Sequence, residues 1–258
     1  MKRTRWATFA QLGAVALALI FVLAAGGYGI TRGFLSDGTA AIKASSFHYV
    51  QTSTVTEEGK IRNSRLEGYY HSPTSVRAIS DSEDPFLEMV LTGSRAWIRD
   101  ATGWSEKDPD SIRPLAMAIP QTILLVPNKR QDMQDVGAGP TVAGESTRRY
   151  RTMADMKMND TLGKAMTNIE NEASSSPECA ALLESVRDLQ KRYNDVETTL
   201  EVVIGEATNR TYSMVITEAG PNLTKHLELV VDQYDLPVDI RPPSDARPAP
   251  PKEPGCSP

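Results

Sequence analysis

Three histidines, His48, His71 and His226, are the side chains of this 258-residue chain best suited to acid–base or metal chemistry. Each lies on or beside a segment that alternates like a β-strand, and their spacing is not that of metal ligands. The chain has no Gly-x-Ser-x-Gly elbow, no phosphate-binding loop and no His-Glu-x-x-His motif. The sequence therefore predicts a protein that is not an enzyme, with no catalytic residues, no metal site and no cofactor.

Acidic residues cluster in two loops that also contain proline. One loop pairs Asp108 with Asp110 around Pro109, and the other is the Asp-Ser-Glu-Asp-Pro run at 81–85. Such loops can hold a cation weakly, but the preference of aspartate and proline for turns explains both of them.

The two cysteines, Cys179 and Cys256, fit neither a zinc ribbon nor a Cys-x-x-Cys redox pair. In an oxidising compartment they can form one disulfide, which would tie the end of the chain to a central helix. Two unpaired thiols are the alternative, and the sequence leaves both open.

The overall charge argues against a nucleic-acid partner. The net charge is -5, the isoelectric point is about 5.4, and aromatic residues make up 6% of the chain. Binding to nucleic acid needs clustered cations against the phosphates or aromatic platforms for bases, and neither pattern occurs after the first few residues.

The N-terminus has the pattern of a membrane-spanning or signal segment. Lys2, Arg3 and Arg5 precede residues 6–31, which contain no charge. A helix of that length, at about 1.5 Å per residue, can cross the ~30 Å hydrocarbon core. The flanking cations place residues 1–5 in the cytoplasm, so the chain after the spanning segment lies outside the cytoplasm.

Two fates of this segment remain open, an uncleaved anchor and a cleaved signal peptide with small residues near Ala24. The run Leu23-Ala24-Ala25 resembles the start of a bacterial lipobox. Gly26 stands where that motif requires the cysteine that carries the lipid, so lipidation is not expected.

A linker is expected over 32–44, followed by a folded domain over 45–240. Short alternating segments with Gly or Pro turns predict an antiparallel meander. The predicted strands lie at 47–55, 61–70, 75–80, 86–91, 96–99, 141–153, 198–206, 210–218 and 224–234.

Three other segments interrupt or follow the strands. The apolar stretch 114–127 contains three prolines and predicts one or two helical turns packed over the sheet. Residues 155–173 and 176–194 predict amphipathic helices. Residues 241–258 are rich in proline and predict an extended, largely disordered tail, which could serve envelope protein partners.

Several short motifs, in their order and spacing, resemble the LolA-like superfamily and within it the LppX/LprG-type lipoproteins of bacterial envelopes. The residues that carry the resemblance are Ser46-Phe47-His48, Leu66-Glu67-Gly68-Tyr69-Tyr70 with Pro73, Thr92-Gly93, Trp97-Ile98-Arg99, Gly103-Trp104, Val142-Ala143-Gly144-Glu145-Ser146-Thr147 with Tyr150, and Tyr234-Asp235-Leu236-Pro237-Val238-Asp239-Ile240. The missing lipobox cysteine and the added Pro-rich tail depart from that pattern.

The resemblance implies an α+β fold, a curved antiparallel sheet forming an open half-barrel, with helices on its concave face and the N-terminal transmembrane or signal helix before it. In such relatives the space between sheet and helices can hold acyl chains. The residues expected to line this space or to form its lid are Met89, Leu91, Leu115, Met117, Ile119, Ile123, Leu124 and Leu125. Trp97 and Trp104 are expected at the cavity rim, with ordinary packing at a sheet edge as the alternative.

Two functions from different classes fit these features. The first is a membrane-anchored carrier for lipid or another apolar ligand outside the cytoplasm. The second is a structural or interaction module of the envelope that binds no ligand. A connected apolar space between sheet and helices favours the first, and a closely packed interior favours the second.

Overall fold

The computed structural model describes residues 46–81, 86–154, 187, 196–221 and 223–248. The predicted anchor and linker, both cysteines and residues 249–258 lie outside the described residues. So do the predicted helices over 155–173 and 176–194, apart from Arg187, which is helical. In the part of the chain that is described, no helix is long and apolar enough to cross a membrane.

Eleven strands form a single antiparallel sheet. They are β1 (Ser46–Glu57), β2 (Lys60–His71), β3 (Ser75–Ser80), β4 (Glu88–Thr92), β5 (Arg95–Asp100), β6 (Gly103–Lys107), β7 (Gln134–Ala138), β8 (Thr147–Ala154), β9 (Glu197–Gly205), β10 (Thr211–Ala219) and β11 (Leu223–Tyr234). Their order is β6-β5-β4-β3-β2-β1-β11-β10-β9-β8-β7, so the sheet is open, with β6 and β7 at its edges.

The topology consists of two meanders that meet in the middle of the sheet. Strands β1 to β6 run outward to one edge and β7 to β11 return from the other, because the first strand pairs with the last. The β1–β2 hairpin turns at Glu58 and Gly59, both with positive φ, as the two-residue turns of tight hairpins require. This agrees with the glycine-containing turns expected between the predicted strands.

One helical connection joins the two edge strands across a face of the sheet. It consists of helix α1 (Pro109–Leu125) and a 3-10 helix (Val126–Asp132). Helix α1 packs on β3, β4 and β5. The side of the sheet that it covers is the inner face, and the opposite side is the outer face.

Helix α1 is longer and more continuous than the sequence predicted. Asp108 caps it by accepting a hydrogen bond from the Asp110 amide at 3.0 Å, and Pro109 stands at the first helical position. Pro114 and Pro120 were expected to divide the segment into short pieces. The helix instead continues through both, because its buried side chains pack on β3, β4 and β5 and outweigh the two missing backbone hydrogen bonds.

A single apolar cluster lies between the inner face and α1. Cross-strand partners that alternate along the strands place its members on this face, as in the row of Phe47, Tyr70, Val76, Leu91 and Ala96. The cluster continues through β9, β10 and β11. The main apolar cluster therefore lies on one face of the sheet.

Two strands were not predicted, and one was predicted too long. β6 and β7 are five-residue edge strands with little apolar alternation, which leaves almost no periodic signal. Residues 141–146 form a turn, in which Val142 and Glu145 make an isolated bridge, and β8 begins only at Thr147.

The first part of the Pro-rich tail is ordered by the sheet edge. The Arg247 amide donates to the Trp104 carbonyl at 3.0 Å, and the Glu106 amide donates to the Arg247 carbonyl at 2.8 Å. Disorder was expected from residue 241. Residues 241–248 differ from that expectation because β6 is an edge strand whose unpaired backbone groups accept a partner.

Candidate functional site

The structure brings most of the predicted lining residues into the apolar cluster. Six of them are buried there: Met89, Leu91, Leu115, Met117, Ile119 and Ile123. Leu124 packs against the border of the cluster, whereas the half-buried Leu125 is not part of it. Helix α1 therefore covers β3 to β5 with the apolar side chains that the sequence singled out.

The two predicted rim tryptophans lie on the outer face of the sheet. Trp97 pairs with Val90 and Trp104 with Arg99, in rows that alternate with those of the cluster. Trp97 is nevertheless only 1% exposed, and the Arg95 guanidinium lies 4.8 Å from its ring centroid. The structure therefore does not bring these rings to the inner face.

A half-open cleft of about 370 Å³ lies beside the far end of the cluster, away from β4 and β5. Its lining residues are Arg130, Arg148, Tyr150, Ile204, Gly205 and Glu206. Ile204 belongs to the apolar cluster and Tyr150 packs against it. The lining of the cleft is mostly polar, and its polar wall carries the charged side chains of Arg130, Arg148 and Glu206. Tyr150 and Ile204 form a smaller apolar wall, at which the cleft borders the apolar cluster.

The end of the helical connection is fixed above this cleft. The Thr211 hydroxyl donates to the Ile123 carbonyl at 2.9 Å, which ties the last turns of α1 to β10, and Thr211 is the cross-strand partner of Ile204. Arg130 follows on the 3-10 helix. Its Nη1 donates to Oδ1 of Asn209 at 2.9 Å.

The second arginine of the cleft is held by two carboxylates. Nε of Arg148 donates to Asp135 at 2.6 Å, and its Nη1 lies 3.4 Å from Oε1 of Glu206. The hydrogen bond with Asp135 raises the pKa of Arg148, so this guanidinium is charged throughout the physiological range. Arg130, Arg148 and Glu206 give the lining side chains a net charge of +1.

Glu145 organises the turn that borders the cleft. Its carboxylate accepts hydrogen bonds from the amides of Ala207 and Thr208, at 2.8 and 2.7 Å, and from the hydroxyls of Thr208 and Tyr212, at 2.8 and 2.7 Å. Burial alone would raise the pKa of Glu145, but these donors outweigh it and lower the pKa. Asn209, which follows Thr208, has a φ of 57°, a conformation that asparagine tolerates better than most residues. In this conformation its side chain accepts the hydrogen bond from Arg130.

A buried charged pair lies on the inner face, at the ends of β10 and β11 that are away from the cleft. Glu218 and Lys225 are cross-strand partners and are 0% and 5% exposed. Burial raises the pKa of Glu218 and lowers that of Lys225. The pair was not among the predicted site residues, because charged side chains are common in strands and the sequence around each one does not show that both are buried.

His48 takes part in a polar cluster on the outer face. Its Nδ1 lies 2.6 Å from Asp232 and its Nε2 lies 3.4 Å from Glu67. A hydrogen bond from Tyr69 lowers the pKa of Glu67. Among the described residues, no group of three or more His, Cys, Asp or Glu side chains is arranged to hold a metal ion.

Comparison with known proteins gave structural neighbours only. No family model matches the sequence, and no curated protein matches it. The solved structures that resemble it include LprF from Mycobacterium bovis, at 11% identity over 92% of this chain and 97% of that one, with a TM-score of 0.44. A DUF1329 family protein from Desulfovibrio piger has 8% identity over 83% of this chain and 94% of that one, with a TM-score of 0.31.

A LolA superfamily protein from Nitrosomonas europaea is a further neighbour. Its identity is 6% over 76% of this chain and 89% of that one, with a TM-score of 0.28. The neighbours thus include a protein of the superfamily whose motifs this sequence resembles.

The cleft residues were not among the predicted site residues. Arg148 and Tyr150 stand two positions apart in a strand and must share a face, which is a signal that the sequence does contain. Arg130 carried no such signal, because its position above β9 depends on how α1 crosses the sheet.

Proposed function

We propose that this protein is a binding or carrier protein for lipid or another apolar ligand, held at the outer side of the cytoplasmic membrane of a bacterium. Residues 6–31 would anchor it as a single-pass segment with the N-terminus inside, or would direct its secretion if they are cleaved. The folded domain would work outside the cytoplasm.

The observation that carries this proposal is the cleft beside the apolar cluster. Its volume of about 370 Å³ lies within the range of small-molecule sites, roughly 300–1,000 Å³. Its wall at Ile204 continues into a cluster that extends over the inner face to β4 and β5. An apolar chain that passed between the charged side chains of the cleft and the apolar wall at Tyr150 and Ile204 would meet the aliphatic and methionine side chains of the cluster.

In this proposal the predicted lining residues on α1 and β4 would contact the apolar part of the ligand. Met117, Ile119 and Ile123 on α1 are buried in the same apolar cluster as Met89 and Leu91 on β4. Methionine has an unbranched, adaptable side chain that repacks around a guest at low cost. Helix α1 would then serve as a lid that adjusts to the ligand.

Native mass spectrometry of the full-length protein, released from membranes in mild detergent, tests the proposal. We expect a co-purifying apolar ligand that is displaced by added lipid. Ile204→Phe should narrow the cleft and reduce the bound fraction. Val230→Phe is the matched control, because Val230 is also β-branched but lies 38% exposed on the outer face.

The controls separate loss of binding from loss of folding. Both variants should keep the far-ultraviolet circular dichroism spectrum of the wild type. Wild-type protein that is always empty and does not take up lipid from vesicles would overturn the proposal.

An interaction module without a ligand is the second candidate, and one observation favours it. The tail is docked at Arg247, whose backbone bonds to Trp104 and Glu106 hold it beside β6. If this candidate is right, deletion of 249–258 removes envelope protein partners in a pull-down while the protein contains no lipid.

A further inference from the structure

Arg130 differs from Arg148, the other arginine of the cleft, in the partner of its side chain. Arg148 is bonded to Asp135 and Glu206, whereas the partner of Arg130 is the neutral amide of Asn209. A guanidinium has five N–H donors in a planar fork, and the bond to Asn209 uses Nη1. Its charge is therefore held in place without being neutralised by a carboxylate at that contact.

The position of Arg130 is fixed from two sides. The bond from Thr211 to Ile123 holds the end of α1 against β10, and the turn stabilised by Glu145 presents Asn209. Arg130 itself is exposed, and the bond to Asn209 orients its guanidinium, which reduces the entropy lost when the guanidinium binds an anion.

The apolar wall lies in the same cleft as this cation. Tyr150 and Ile204 line the cleft together with Arg130 and Arg148, and both belong to or pack against the apolar cluster. A ligand that satisfies both walls must have an anionic group joined to a hydrocarbon chain. Glu206 also lines the cleft, and its bond to Arg148 leaves Arg130 as the better partner for an added anion.

We infer that the cleft is the headgroup site for an anionic lipid, with Arg130 binding the phosphate and the acyl chains passing Tyr150 and Ile204 toward the cluster. The inference rests on the proposed carrier function and adds the class of lipid. Arginine suits this task because its fork donates two parallel hydrogen bonds to a phosphate.

The test uses the full-length protein and vesicles made of equal parts dioleoyl phosphatidylglycerol and dioleoyl phosphatidylcholine. These lipids share acyl chains and differ in headgroup charge. Protein recovered from the vesicles is extracted and its bound lipid is quantified by mass spectrometry. We expect the wild type to be enriched in phosphatidylglycerol by about tenfold, as one charge-assisted contact would give.

Arg130→Gln should abolish this enrichment and leave phosphatidylcholine binding in place. Arg113→Gln is the matched control, since Arg113 donates to the Gly93 carbonyl and does not line the cleft. It should keep the wild-type enrichment. Excess inorganic phosphate, added as a competitor, should not displace the bound lipid.

The outcomes separate the two claims. Equal binding of both lipids by the wild type overturns the headgroup inference and leaves the carrier function standing. Displacement by inorganic phosphate also overturns it, because the cleft would then be a site for free anions. Uptake of neither lipid overturns the carrier function itself, and the headgroup site with it.

Discussion

The phenol ring of Tyr49 occupies the space that a side chain at Gly68 would need. The two residues are cross-strand partners in β1 and β2, and a Cβ atom added at Gly68 would lie 2.0 Å from Cζ of Tyr49. Tyr49 is 1% exposed and belongs to the apolar cluster. The glycine therefore lets a large ring lie flat against the inner face of the sheet.

Replacing this glycine should be costly as long as Tyr49 is present. Because the ring is enclosed, Gly68→Ala should lower the free energy of unfolding by about 2 kcal/mol, as overpacking of a core typically does. Urea unfolding measures the change. In a Tyr49→Leu background the same substitution should cost less than about 0.5 kcal/mol, since the obstructing ring is gone. Equal costs in both backgrounds would contradict this explanation.

The buried pair of Glu218 and Lys225 predicts an asymmetry between single and double substitutions. Oε1 of Glu218 lies 3.9 Å from Nζ of Lys225, and in the described part of the chain neither carboxylate oxygen has a hydrogen-bond partner. Lys225→Met leaves a buried carboxyl without its cation and should cost about 3 kcal/mol at pH 7. The double variant with Glu218→Met should recover most of that loss in urea unfolding, because the apolar pair needs no desolvation.

Glu218 also predicts a dependence of stability on pH. Because burial raises its folded-state pKa above the ordinary value of 4.5, the proton is bound more tightly in the folded protein. The stability that this carboxyl contributes is full below pH 4.5 and falls as the pH rises through the folded-state pKa. Glu218→Gln should therefore gain stability relative to the wild type as the pH increases from 4 to 8. A constant difference over that range would exclude this account, and thermal unfolding at several pH values measures it.

Glu145 predicts the opposite pH dependence. The pKa of its carboxyl is lowered, so the stability that it contributes is present above pH 4.5 and is lost as the pH falls through the folded-state pKa. Glu145→Ala leaves the amides of Ala207 and Thr208 without their acceptor and should cost about 2 kcal/mol at pH 7.

The same substitution should act on the cleft through the turn. Without its anchor the turn at Asn209 loosens, and Arg130 loses its fixed position. Glu145→Ala should therefore reduce the enrichment in anionic lipid, whereas Glu201→Ala should not. Glu201 pairs with Arg151 on the outer face of the same region and provides the comparison.

The sequence predicted those parts of the fold that repeat a local pattern. The strands β1, β2 and β11 are twelve residues long each, and their boundaries were predicted within a few positions. Burial alternates most regularly along β11. β6 and β7 are too short to show a period. The continuity of α1 through Pro114 and Pro120 is decided by tertiary packing, which local propensity does not contain.

The candidate site was less predictable for a geometric reason. The apolar members on α1 and β4 follow from hydrophobicity alone, and the structure places most of them together. Arg130 and Ile204 are 74 positions apart and meet only because α1 crosses the inner face from one sheet edge to the other. The sequence near Arg130 and the sequence near Ile204 therefore do not indicate that the two residues lie close together.

The docked tail gives a prediction about the β6 edge. A chain that ends at Ile240 lacks Arg247, so the Glu106 amide loses the carbonyl to which it donates at 2.8 Å. Hydrogen exchange at Glu106 should accelerate by at least about tenfold, while exchange in β2 and β3 stays unchanged. A chain that ends at Pro248 should exchange like the wild type.

Substitution at Arg247 separates the backbone contact from the side-chain contact. Arg247→Ala removes the hydrogen bond from Nη2 to the Thr102 hydroxyl but keeps both backbone bonds to β6. Because the protection of Glu106 comes from the backbone of residue 247, this variant should retain slow exchange at Glu106. Fast exchange in Arg247→Ala would mean that the guanidinium, rather than the strand-like pairing with Ser105, holds the tail on the edge.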